Sequence, residues 1–170
     1  RAVEALRHYV DAHPQASAMA YLELLHLYHQ LQRTDDYEAL RQRCQQALNV
    51  RLPDFRGFGA VGGRRLQDYP WALERLQSHW PSSQTLDVIE ELLFRSGAAE
   101  GDEPFDLAAY RELLMLHALV HMDGRKGTTS SEELAVMLDT NPVLVRRMMG
   151  GLREAGYVRS TAGRNVSSTA

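Results

Sequence analysis

Ser130–Ser160, SSEELAVMLDTNPVLVRRMMGGLREAGYVRS, is the stretch whose reading decides the fold. Ser130 and Glu133 form a capping box: a hydroxyl and a carboxylate each close a backbone N–H that the first helical turn leaves unpaired. The helix that follows places Leu134, Ala135 and Leu138 on its buried side. Asp139 and Thr140 break it. Asn141 then caps a second helix, and Pro142 takes its first position, where a missing N–H costs nothing. Val145, Met149 and Leu152 share one face of this helix, while Arg146, Arg147 and Arg153 point elsewhere. Gly156 supplies the left-handed stop, and Tyr157-Val158-Arg159 reads as a short strand leaving it. Two short helices joined by so few residues cross steeply, which is helix-turn-helix geometry.

This run resembles the DNA-reading part of the BadM/IscR/NsrR-type winged-helix repressors. In that family a capped helix precedes an asparagine- or proline-started recognition helix, and the run closes on L-R-x-A-G-L/Y-V-R-S, as Leu152–Ser160 does here. Leu113–Met122, LLMLHALVHM, resembles the family's first helix. The resemblance spans about 50 of 170 residues. It implies a glycine-rich wing next, where this chain has Thr161–Ser167, and then a long dimerisation helix, often with three cysteines for an iron–sulfur cluster. Neither the helix nor the cysteines lie between the wing and Ala170, so the resemblance implies a partial winged helix without a cofactor.

Helix-turn-helix proteins enter the major groove with the N-terminus of the recognition helix. The early outward positions here are Thr140, Asn141, Val143, Leu144, Arg146 and Arg147. Arg146 and Arg147 can bind guanine edges or phosphates, and Ser130 and Ser131 at a helix start can bind phosphate. Arg159 and Arg164 flank the wing and would reach the DNA backbone or the minor groove. The charge distribution agrees. The whole chain carries a net charge of −3, which argues against a nucleic-acid surface over the entire molecule. Residues 1–108 hold 11 basic and 16 acidic side chains, whereas from Asn141 onward five arginines face only Glu154. A solvated arginine face is the plain alternative.

Upstream, the pattern is helical hairpins. Helices are expected over Ala2–Ala12, from Ser17 to about Gln32, and from Asp35 to about Asn49. The second and third resemble a tetratricopeptide repeat, with Tyr28 late in the first helix and Tyr37-Glu38-Ala39 early in the second. One such repeat cannot bury its face alone, so neighbours must cover it. Val50–Asp68 reads as irregular. Two further helices follow, one capped by Asp68 with Pro70 near its start, the other capped by Ser82 or Ser83. Gly97–Pro104 reads as an acidic linker, and Asp106 as the cap of a long helix to about Met122. The segment FDLAAYRELLMLHA also resembles bacterial helical-repeat scaffold proteins of the FimV type.

Chemistry-bearing patterns are sparse. Gly57-Phe58-Gly59-Ala60-Val61-Gly62 matches the dinucleotide fingerprint in letters, but Pro53 interrupts any preceding strand and no βαβ pattern follows; a loop with Phe55 and Phe58 tucked against the helices is the better reading. His117 with His121, and His26 with His29, have metal-pair spacing without a third ligand in view. Cys44, the single cysteine, falls on an apolar register and reads as core. No nucleophile elbow, P-loop or cleft-like carboxylate pair is present, so the chain does not read as an enzyme.

The expectation is therefore a mainly α protein: tetratricopeptide-like hairpins over 1–104, then a partial winged helix-turn-helix over 105–170 whose first helix, 106–122, is shared with the junction. Its partners would be double-stranded DNA through the C-terminal part and a protein on the helical repeat, with no membrane and a homodimer as the open assembly question. A cytoplasmic location fits the single cysteine and the lack of a signal peptide. The competing reading is a protein-interaction scaffold whose winged helix does not bind DNA, because fold does not fix function. The chain opens on Arg1 rather than Met and reads as a fragment, so a natural fusion and a chimera both fit.

Overall fold

The computed structural model describes residues 1–13, 18–60, 62–79, 82–98, 102–123, 129–130, 146, 158–160 and 165–168. Helix α1 (Ala2–Ala12) packs on α2 (Ala18–Gln30), which packs on α3 (Thr34–Ala47). The apolar register of α2 does what its spacing predicts, burying Tyr21, Leu24, Leu25 and Tyr28. Its C-terminus closes on itself: Arg33 N–H donates to Tyr28 O at 2.9 Å and Gln32 N–H to His29 O at 3.1 Å. That closure needs a left-handed residue, and Gln32 supplies it at φ +57°. The Arg33 guanidinium then ties three helices together, reaching Asp36 on α3 at 2.7 Å and Glu4 on α1 at 3.2 Å while lying 5.0 Å over the Tyr28 ring on α2.

After α3 the chain makes strand β1 (Val50–Arg51), which pairs in parallel with β2 (Phe105–Asp106). Neither strand was expected. The stretch between them holds a short 3-10 turn (Leu66–Asp68), α4 (Pro70–Ser78) and α5 (Thr85–Leu93). Asp68 closes the 3-10 turn by accepting the Arg65 N–H at 2.8 Å, and α4 starts at Pro70 with no side-chain cap. Asp68 is therefore not the α4 cap that its position suggested. Nor do Ser82 and Ser83 cap α5: Gln84 holds that place, again with no side-chain bond. The described residues at the end of the expected linker are tied down: Arg75 pairs with Asp102 at 3.2 Å, and Arg64 with Glu103 at 2.8 Å.

Helix α6 (Leu107–Asp123) is the centre of the fold. Residues 112–116 are all buried, together with Ala118 and Leu119. Five consecutive buried positions go round the whole helix, so it must be covered on every side. α5, the 3-10 turn and β2 cover part of it, and part lies against strand β5 (Asn165–Ser168). Two polar groups fix its register. Tyr110 Oη donates to Leu93 O at 2.8 Å, and the buried Glu112 carboxylate accepts Arg65 Nε at 3.0 Å. The described core forms one continuous cluster running from Val3 to Leu119. The fold is mainly helical, as the sequence patterns imply.

Candidate nucleic-acid interface

Three short strands follow α6. β3 (Thr129–Ser130) and β4 (Val158–Ser160) flank β5, both antiparallel to it, in the order β3–β5–β4. The register pairs Thr129 with Val166 and Ser130 with Asn165, and on the other side Arg159 with Ser167. β4 and β5 make a hairpin, and the strand that leaves α6 adds to the hairpin's second strand. A sheet in which one early strand joins a late hairpin brings the two ends of residues 129–168 together and closes that segment on itself.

Of the nine residues expected to touch DNA, the structure places three. Ser130 ends β3, the position from which a helix cap can follow an extended residue. Arg146 is helical and exposed. Arg159 lies in β4, within the hairpin. Ser131, Thr140, Asn141, Val143, Arg147 and Arg164 lie outside the described residues, as does Leu144. β3 itself was missed, since two residues show no alternation to detect.

The other singled-out residues have structural duties. Phe58 is buried and Phe55 partly so; both pack on Tyr37 and His29, with centroids 4.8–5.5 Å apart. Among the described residues no helix starts on the glycine loop, so the fingerprint lacks the element that would face a pyrophosphate. His117 Nε2 lies 3.2 Å from Glu90 Oε1 on α5, and the His121 side chain lies outside the described set. Cys44 is fully buried in α3, and burial pushes its thiol up to about 12.

Residues 112–166 match the family described as Rrf2, iron-dependent transcriptional regulator. No curated protein and no solved structure matches the chain. Among the described residues no three histidine, cysteine or acidic side chains converge as a metal site, and Cys44 is a buried thiol before the matched stretch. The match begins inside α6, at the buried Glu112, and ends in β5 at Val166. Over that stretch, from the central helix to the last strand, the chain is similar to DNA-binding transcriptional regulators of the Rrf2 family.

Proposed function

We propose that residues 105–170 are a winged helix-turn-helix DNA reader, joined through α6 to a helical protein-interaction unit over residues 1–104. One observation carries this reading: the stretch similar to Rrf2 regulators, 112–166, runs through nearly all of the segment that the β3–β5–β4 sheet closes on itself. The reading puts Arg146 and Arg147 on base edges or phosphates, with Thr140, Asn141 and Val143 at the start of the recognition helix. Ser130 and Ser131 hold a phosphate at the preceding helix, and Arg159 and Arg164 reach the DNA backbone from the hairpin. The excess of arginine after Asn141 supports it, because a protein-only module has little use for that charge. The tetratricopeptide-like surface of α2 and α3 takes a protein partner. Two copies of the chain would read two half-sites.

Fluorescence anisotropy of a labelled duplex at 50 and 200 mM salt tests this. Four or five phosphate contacts give a slope of log affinity against log salt of about −4. The double variant Arg146→Ala/Arg147→Ala should lose most of the salt-sensitive binding. Folded protein that ignores DNA at low salt would sink the reading and leave the scaffold function in its place.

A further inference from the structure

A cleft of about 980 Å³ opens beside the parallel pair β1–β2. Separate parts of the chain wall it: Met19, Leu22 and His26 of α2, Arg41 of α3, Gly57, Gly59, Gly62 and Gly63 of the loop, and the first turns of α6 at Leu107, Ala108 and Arg111. Both strands run toward it. β1 leads through Arg51 and Leu52 into the loop, and β2 leads through Asp106 into α6. Crevices at the carboxyl ends of adjacent parallel strands are where open sheets hold ligands, and this volume is that of small-molecule pockets.

The lining has a definite chemistry. Its floor is apolar: Met19, Leu22, Leu52 and Phe58 are all buried. Its charged groups are Arg41, Arg51 and Arg111 against Glu23 and Asp106, so cations outnumber anions in the lining. Asp106 is already engaged, accepting Arg64 N–H at 2.8 Å through Oδ2 and lying 3.5 Å from Arg51 through Oδ1. Arg41 is anchored at the cleft edge, donating Nε to Leu52 O at 3.0 Å and Nη1 to Glu38 at 3.1 Å. Arg51 pairs at 3.5 Å, looser than either bond of Arg41, and its side chain is 56% exposed. The loop wall is largely bare backbone. Gly63 sits at φ +95°, and a side chain on Gly62, at φ +153°, would enter open space.

We infer that this cleft binds an amphiphilic small anion, its carboxylate or phosphate head on Arg51 and Arg41 and its apolar body on the floor of Leu22, Leu52 and Phe58, and that the ligand is an effector of the DNA reader. α6 supplies the route, since it starts at the cleft and continues as the first helix of the stretch similar to Rrf2 regulators. The effector role rests on the DNA-reading function proposed above; the binding site does not.

Calorimetry of the whole chain with octanoate, octyl phosphate, inorganic phosphate and octanol tests the site. Both octyl anions should bind, and the tighter of the two names the head group. Arg51→Glu should weaken them about tenfold or more, the loss of one charge-assisted hydrogen bond. Arg51→Gln should weaken them less, and Arg56→Glu, the same charge reversal on a residue that does not line the cleft, should leave binding unchanged. A melting curve on each variant verifies its fold. No binding of either octyl anion at millimolar concentration overturns the site. So does octanol binding as tightly as octanoate, or an Arg51→Glu protein that binds normally. The anisotropy titration is then repeated with saturating octyl anion. A shift in DNA affinity supports the effector role; unchanged affinity with bound ligand overturns that role alone. A chain that binds the anion but never DNA refutes the DNA reading and keeps the site.

Discussion

Leu113→Ala asks whether one helix holds both halves of the chain together. Leu113 is fully buried near the middle of α6, one residue into the stretch similar to Rrf2 regulators. Its neighbours Ala109, Tyr110, Glu112, Leu114 and Leu116 are themselves buried, so little can move in to fill the space left behind. Truncation loses the transfer free energy of three carbons and leaves a cavity, about 3–4 kcal/mol together at a site that cannot collapse. For a chain of this size each kcal/mol lowers the melting temperature by about 2–4 °C, so a fall of about 6–16 °C is expected. Leu31→Ala serves as control: Leu31 is 56% exposed, and its loss should stay within about 0.5 kcal/mol.

Two probes decide the point. Trp71 fluorescence reports the first half, because its ring sits on α4 against Tyr69, 6.4 Å between centroids. Hydrogen exchange at the β5 amides, Asn165–Ser168, reports the second, because β5 lies against α6. A shared helix requires both to weaken together. If the Trp71 melt falls while β5 keeps its full protection, α6 belongs to the first half only and the shared-helix organisation is wrong. A fall below about 1 kcal/mol would mean the core around Leu113 is looser than its burial implies.

Two further outcomes follow from buried groups. Cys44, fully buried with its thiol raised to about 12, should resist iodoacetamide at pH 8 in the native protein and react at the normal rate in guanidinium; ready native labelling would refute its place in the core. Burial raises the tyrosine hydroxyls of Tyr37 and Tyr110 far above their usual 10.0. Above pH 10 the unfolded chain therefore releases protons that the native state keeps, and stability present below that pH is lost as pH rises. Urea midpoints should hold steady from pH 8 to 9.5 and then drop, and Tyr110→Phe should flatten the drop.

The helices were legible because each has a period and punctuation. Pro70 sits at the start of α4, and the apolar stripe of α2 returns every third or fourth residue. What escaped has no local signal. β1 and β2 are two residues each and find one another across α4 and α5, so Val50 opposite Phe105 cannot be read from either side alone. The cleft is hidden for the same reason, since its lining is gathered from α2, α3, the glycine loop and α6. The glycine fingerprint shows the reverse failure: the letters are present, but the helix that starts beside the loop, α6, arrives from β2 rather than from the glycines.

The one global feature that the sequence does disclose is the role of α6. A surface helix shows an apolar stripe and a polar face. LLMLHALV, residues 113–120, has almost no polar face, and a helix apolar all round must be covered on all sides. Among the described residues, helices before it and the sheet after it both lie against α6, where Leu113, Met115 and Leu119 are buried. Burying such side chains contributes about 1.5–3 kcal/mol each, so stripping either covering would expose several kcal/mol of apolar surface. The apolar run at 113–120 thus predicts that the first half, expressed alone to the end of α6, associates or aggregates through that face.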